Sequence, residues 1–206
     1  MTGYFSETDH ERIATAIRAA ENETTGEIVC VVARSCEPYS IIAAMWAALA
    51  ALVVPVAVIP ICPQLAAHWV YSIQGLAFLG VLLALQYMPL RMALVPKAVK
   101  LRRAERLART QFLEQGLHRT EGRTGVLIFA AMAEHHVEVI ADAGINDRVE
   151  PGTWDGLVSG FAAHMKRGET VEAFVDAVGL AGAELKRHFP KTPGNPNELP
   201  DRLIEI

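Results

Sequence analysis

At 206 residues the chain has room for roughly one ordinary domain and a modest extra element. Its 51% apolar content is high for a water-soluble fold. The net charge of −4, with acids balancing bases outside one short block and no reader motif, leaves nucleic acid out of the expected partners. Three cysteines, Cys30, Cys36 and Cys62, are odd in number and match no zinc or redox spacing, so reduced thiols are expected rather than a disulfide framework.

In chain order, residues 6–23 read as an amphipathic helix, with Ile13, Ala16, Ile17 and Ala20 at helical spacing and Ser6 as N-cap. Thr24-Thr25-Gly26 ends it, and Gly26 is available for a left-handed cap. Residues 27–34 (EIVCVVAR) then read as a central β-strand, β-branched and almost wholly apolar. The first 37 residues are polar and acidic, unlike a secretory leader. Membrane insertion is therefore expected to depend on the apolar segment that follows.

That segment is the dominant feature. From Pro38 to Leu90 there is no Asp, Glu, Lys or Arg. A bilayer crossing takes about 20 apolar residues, so the length suits two spans, at 41–62 and about 70–90, joined by a short turn through His68 and Trp69. Pro55 and Pro60 fall inside the first span, where a membrane helix tolerates them better than a soluble one. Trp69, Tyr71 and Tyr87 sit near span ends, at expected headgroup depth. Residues 91–109 then carry seven basic side chains (Arg91, Lys97, Lys100, Arg102, Arg103, Arg106, Arg109) against Glu105 alone. The opposite loop has neither Lys nor Arg, so both termini are expected in the cytoplasm, with the chain a multi-pass protein of a bacterial inner membrane. The lipid bilayer is thus the first expected partner, and the basic block is placed to meet anionic lipid headgroups.

Beyond the block, Pro96 suits the first turn of a helix to about residue 118, with Leu101, Ala104, Ala108 and Phe112 on its apolar face. Residues 125–131 (GVLIFAA) and 137–141 (VEVIA) read as strands close enough in sequence for an antiparallel hairpin. Helices near 153–166 and 170–187 follow, separated by Gly168 as a stop and Thr170 as a cap. Residues 190–206 form a tail, rich in Pro and Asn as far as Pro200 and expected to be extended. The fold class is α/β, a small central sheet between helices. The first 37 residues cannot bury a sheet face alone, so they and residues 91–189 belong to one domain, interrupted by a helical hairpin at 38–90.

Several stretches carry a resemblance. They are Ile13, Ala16, Ile17 and Glu21 in the first helix, then Thr25-Gly26-Glu27-Ile28 entering the first strand. Phe112-Leu113-x-x-Gly116-Leu117 and Arg123-Thr124-Gly125-Val126-Leu127-Ile128 lead into the second. Val137-Glu138-Val139-Ile140-Ala141-Asp142-x-Gly144-Ile145, with Trp154 beyond it, spans the third strand and the turn after it. In this order they resemble the TPM domain family over residues of about 5–189, and Asn197-Glu198-Leu199-Pro200-Asp201 resembles a terminal motif of its membrane-anchored bacterial members. The resemblance implies an α/β fold with a central sheet. It also implies kinship with members described as acid phosphatases or calcium binders, and with many of no assigned activity. Residues 144–149 hold fewer glycines, and a different acidic layout, than many members have.

For chemistry, the best acidic candidates are Glu27, Glu138, Asp142 and Asp147, at strand ends and the loops after them, where open α/β sheets place ligands. Gathered together, they could hold calcium or magnesium through oxygen, or position water for hydrolysis. The same residues would equally serve as solvated strand edges and helix caps. His135 and His136 are adjacent, and neighbours in a strand point to opposite faces, which suits a turn and a surface position better than shared metal ligation. No Ser is paired with a base and no phosphate or dinucleotide loop appears. The expected function is an accessory or assembly factor presenting a TPM-like domain to a membrane-protein partner; the alternative is a divalent-metal-dependent, phosphatase-like hydrolase.

Overall fold

The structure, a computed structural model, describes residues 5–193 and 196–206. Of the tail, residues 194 and 195 lie outside the described residues. The chain divides into two compact units: one formed by residues 1–36 and 101–206, the other by residues 37–100.

The first unit is built on a four-stranded sheet in the order β3-β2-β1-β4. It opens with α1 (Glu7–Glu21), started by a Ser6 capping box in which Ser6 Oγ accepts from the Asp9 amide and Asp9 accepts from the Ser6 amide. β1 (Glu27–Ala33) is buried along its whole length and pairs in parallel with β2 (Gly125–Ala131), Glu27 facing Gly125 and Ala33 facing Ala131. A parallel pair needs a crossover, and α5 (Lys97–Glu114) lies within it, followed by a 3-10 turn at Leu117–Arg119. β3 (His136–Ala141) returns antiparallel to β2. Then come α6 (Ala143–Asn146), α7 (Asp155–Arg167) and α8 (Thr170–His188). The tail adds β4 (Leu203–Glu205), parallel to β1 with Leu203 beside Cys30.

Strand alternation divides the core in two. Ile28, Cys30, Val126 and Ile128 face a core closed by α1, α7 and α8, through Ile13, Ile17, Phe161, Phe174 and Val178. Val29, Val31, Leu127 and Phe129 face the opposite core, closed by Ala104, Ala108 and Phe112 of α5. Cys30 is a buried small hydrophobe, as its apolar strand implies.

The second unit holds α2 (Ser40–Ile61), α3 (Ala67–Ala84) and α4 (Met88–Leu94). Both α2 and α3 are long and apolar enough to cross a membrane. α2 buries the row Ala43, Ala47 and Ala51, spaced by four, and α2 and α3 pack on each other. The helix continues through Pro55 and Pro60.

The structure departs from the sequence expectations at five places. The second apolar stretch is not one helix to residue 90: α3 stops at Ala84, and α4 restarts after a turn, with Pro89 in its first turn where no amide is needed. Gly26 is not a left-handed cap, since α1 ends on Asn22 in right-handed geometry. A Cβ at Gly26 would instead sit 2.9 Å from the Leu185 side chain and 3.2 Å from the Thr124 carbonyl, so close packing is what calls for glycine there. Glu169, not Thr170, precedes the first turn of α8. The helix after Pro96 ends at Glu114, and its last expected residues form the 3-10 turn. The tail is not wholly irregular: Thr24 bridges Pro190, and β4 completes the sheet.

Candidate functional site

At one end of the sheet, β1 and β2 begin and β3 finishes. Gly125 sits there between two acids: Glu27 is its β1 partner, and the Asp142 amide donates to its carbonyl at 2.9 Å. A Cβ on Gly125 would lie 2.8 Å from the Leu117 carbonyl oxygen, so the 3-10 turn packs directly on the strand start.

Asp142 is the N-cap of α6, accepting from the Ala143 amide at 2.7 Å. Its carboxylate also takes a two-point contact from Arg123, at 2.6 Å from Nε and 2.8 Å from Nη2. Charge-assisted fork geometry of this kind is the strong form of the bond. The Arg123 hydrogen bonds hold the Asp142 carboxyl below its usual range, against the opposing effect of burial. Arg123 adopts a left-handed backbone (φ 52°), unusual for a non-glycine residue. The same turn presses on α6: a Cβ at Gly144 would lie 2.7 Å from the carbonyl oxygens of both Gly122 and Arg123.

Glu27 is buried, and its two oxygens accept from the amides of Glu198 and Leu199, each at 3.2 Å. The Glu198 carboxylate in turn accepts from the Glu121 amide. Burial raises the Glu27 carboxyl above its usual range; the two amides oppose this, and Glu198 and Asp201 add to it. Behind it, Glu21 at the end of α1 accepts from the Ile28 amide at 2.8 Å, and its second oxygen is buried. Burial pushes the Glu21 carboxyl up to about 9; the Ile28 amide opposes, and the charges of Glu27 and Asp201 add.

The four expected acids therefore occupy different settings. Glu27 and Asp142 share the sheet end two strands apart, but one is held by the tail and the other by Arg123. Glu138 lies further along β3, opposite Phe129, with His136 Nε2 3.3 Å away. Asp147 caps the C-terminus of α6 and is exposed. Among the described residues, no three His, Cys, Asp or Glu side chains are disposed to hold a metal ion. His135 is in the hairpin turn and His136 opens β3, the turn-and-surface arrangement expected of them. Sequence reasoning gave no role to Arg123 or Glu21. Glu21 left one signal: it continues the four-residue spacing of Ile13 and Ile17 on the buried stripe of α1.

The sheet order and these strand-end turns can be set beside known proteins. The TPM domain family matches residues 82–184, half of the chain. The chain belongs to the TPM domain family. A solved structure of similar fold is the NMR structure of BA42 protein from the psychrophilic bacterium Bizionia argentinensis. It has a TM-score of 0.64 at 19% identity, covering 100% of this chain and 98% of that one. At that identity the likeness speaks for the fold alone. No curated protein matches the chain. The TPM match takes in the Arg123–Asp142 pair and the β2–β3 hairpin, while Glu21, Glu27 and the tail lie outside it.

Proposed function

We propose that this TPM protein is an integral membrane protein whose apolar hairpin crosses the bilayer, presenting the TPM domain to the cytoplasm as a binding or assembly module for a membrane complex. The observation that carries this reading is where the exposed apolar side chains fall. Among the described residues they concentrate between Ile41 and Leu94; only Leu101, Leu113, Leu180 and Ile206 lie outside. In water such a surface far exceeds what a monomer exposes, whereas in hydrocarbon it is the expected lining. The chargeless stretch from Pro38 to Leu90 and the basic block after it support the same orientation. Arg102, Arg106 and Arg109 are exposed on α5, and beside an anionic leaflet each would contribute about 1 kcal/mol.

A binding role, rather than hydrolysis, is favoured by the acids themselves. Asp142 is engaged by Arg123 and Ala143, and Glu27 by two backbone amides. Cys30, the buried thiol, is pushed above its usual range by burial and is no nucleophile.

Native cysteines provide the test. Cys62 lies in the connection after α2, and Cys36 lies in the first unit. In right-side-out vesicles a membrane-impermeant maleimide should label Cys62 directly, and Cys36 only after permeabilisation. The reverse order, or release of the chain from membranes by alkaline carbonate, would overturn the reading.

A further inference from the structure

We propose that the cavity between the β2–β3 hairpin and α7 binds a single-chain amphiphile with a carboxylate head, of the fatty-acid class. It lies within the TPM unit and does not rest on the membrane reading.

The cavity has a volume of about 500 Å³, inside the range of roughly 300–1,000 Å³ typical of small-molecule sites. Its origin is legible in side-chain size. On the face of β2 that meets α7, Val126 and Ile128 are followed by the small Ala130, so the sheet stops filling the space beneath α7. On α7, Leu157 and Phe161 point into the core, while Val158, Ala162 and Met165 line the opening at helical spacing. Ala162 leaves room where a larger residue would close the gap. Met132 and Met165 both line it, and methionine adapts its shape to flexible apolar ligands.

The polar lining has one character. It consists of His135 and His136 from the hairpin and Lys166 from α7, all able to carry positive charge or donate hydrogen bonds, in an otherwise apolar lining. His136 lies 3.3 Å from Glu138. Among the described residues, neither His135 nor Lys166 has an ion-pair partner, and both are exposed. An apolar interior with a cationic rim complements an apolar tail with an anionic head. His135 also holds a left-handed backbone (φ 52°) at a turn position that glycine or asparagine fills at lower cost. That conformation puts an imidazole, rather than a bare turn, on the cavity wall.

The test uses the full chain in phosphatidylcholine nanodiscs, titrated with carboxyl-labelled dodecanoate and followed by NMR of the labelled carbon. The expected result is a protein-bound carboxylate signal, distinct from bilayer-dissolved dodecanoate, that saturates at one per chain. Ala162→Leu should abolish it. Lys166→Glu, at an exposed position where folding is not at stake, should weaken binding by about tenfold or more. Dodecyltrimethylammonium, of equal chain length and opposite charge, should fail to compete. The proposal is overturned by any of three results: no saturable bound signal, equal binding in Lys166→Glu, or equal competition by the cationic amphiphile. Failure of the maleimide test with success here would refute the membrane reading alone.

Discussion

In the TPM unit Phe129, Phe161 and Phe174 are fully buried, whereas in the hairpin unit Leu52, Val53, Val56 and Ile61 each expose more than half of their surface. The two units thus use similar residues in opposite ways. In the first, β1 and β2 are apolar almost throughout because helices cover both faces of the sheet, and those helices each turn one apolar stripe inward. In the second, apolar residues surround both helices, and the small buried row Ala43, Ala47 and Ala51 serves helix packing instead. A helix apolar on all sides has no aqueous solution of its own. The lesson is that burial cannot be read from hydrophobicity without knowing the solvent.

The largest effect that breaks the comparison is expected in the TPM unit. Phe174 stacks edge-on against Phe161 at 4.8 Å and faces Phe5 at 6.2 Å. Phe174→Ala should cost about 3–5 kcal/mol of stability, read from chemical denaturation of the full chain in nanodiscs. In the hairpin the expected response depends on polarity, not size. Leu52, 60% exposed on α2, should tolerate Ala with little change in the fold. Leu52→Arg should impair membrane insertion by about 3 kcal/mol, read as the membrane-integrated fraction in a translocation assay. If Leu52→Ala were as damaging as Phe174→Ala, the hairpin would be a soluble core after all.

A subtler contrast lies in the site. Arg123→Ala removes the partner of a buried carboxylate, and should destabilise the TPM unit at neutral pH by less than Phe174→Ala does, since Arg123 itself is exposed and its charge is screened. Because Asp142 is held below its ordinary 3.8, the stabilisation is present above that pH and is lost as acid protonates it. The wild type and the variant should therefore converge in urea melts as pH falls below 4. A gap that persists in acid would assign Arg123 a packing role instead.

Much of this architecture is legible from pattern. The strand runs through Val31, Ile128 and Val139 stand out because β-branched residues cluster between turn signals, and the chargeless stretch stands out as the source of two long apolar helices. β4 is not legible: three residues, Leu203-Ile204-Glu205, carry no period, and only the open edge of β1 makes them a strand. The acid set is opaque for a related reason. Which carboxylate stays available depends on partners remote in sequence. Glu27 is satisfied by amides 171 and 172 residues further on, and Asp142 by an arginine 19 residues earlier. Local spacing sees neither. Glu21 looks from its sequence like a surface acid at a helix end, and becomes buried only because the tail and β1 close over it.

That burial yields the smallest and most discriminating prediction. Glu21 stays neutral in the fold until about pH 9, but ionises in the unfolded chain near its ordinary 4.5. The folded protein thus binds an extra proton across that interval. The stability contributed by Glu21 is complete below pH 4.5 and is lost progressively as pH rises towards 9. Glu21→Gln keeps an acceptor for the Ile28 amide and removes the ionisation, so the melts should lose much of their decline between those values. At pH 8 the variant should be more stable than wild type by about 1 kcal/mol, the gain being limited by the need to satisfy a new amide group in the same buried space. Glu27, also raised by burial, leaves a residual slope in the variant. Phe174→Ala would lower stability at every pH alike, and Arg123→Ala would lower it by a constant amount above pH 4 and converge with wild type only in acid. A change confined to the rise towards pH 9 therefore belongs to Glu21, and separates the cost of burying one proton-bearing acid from the packing around it.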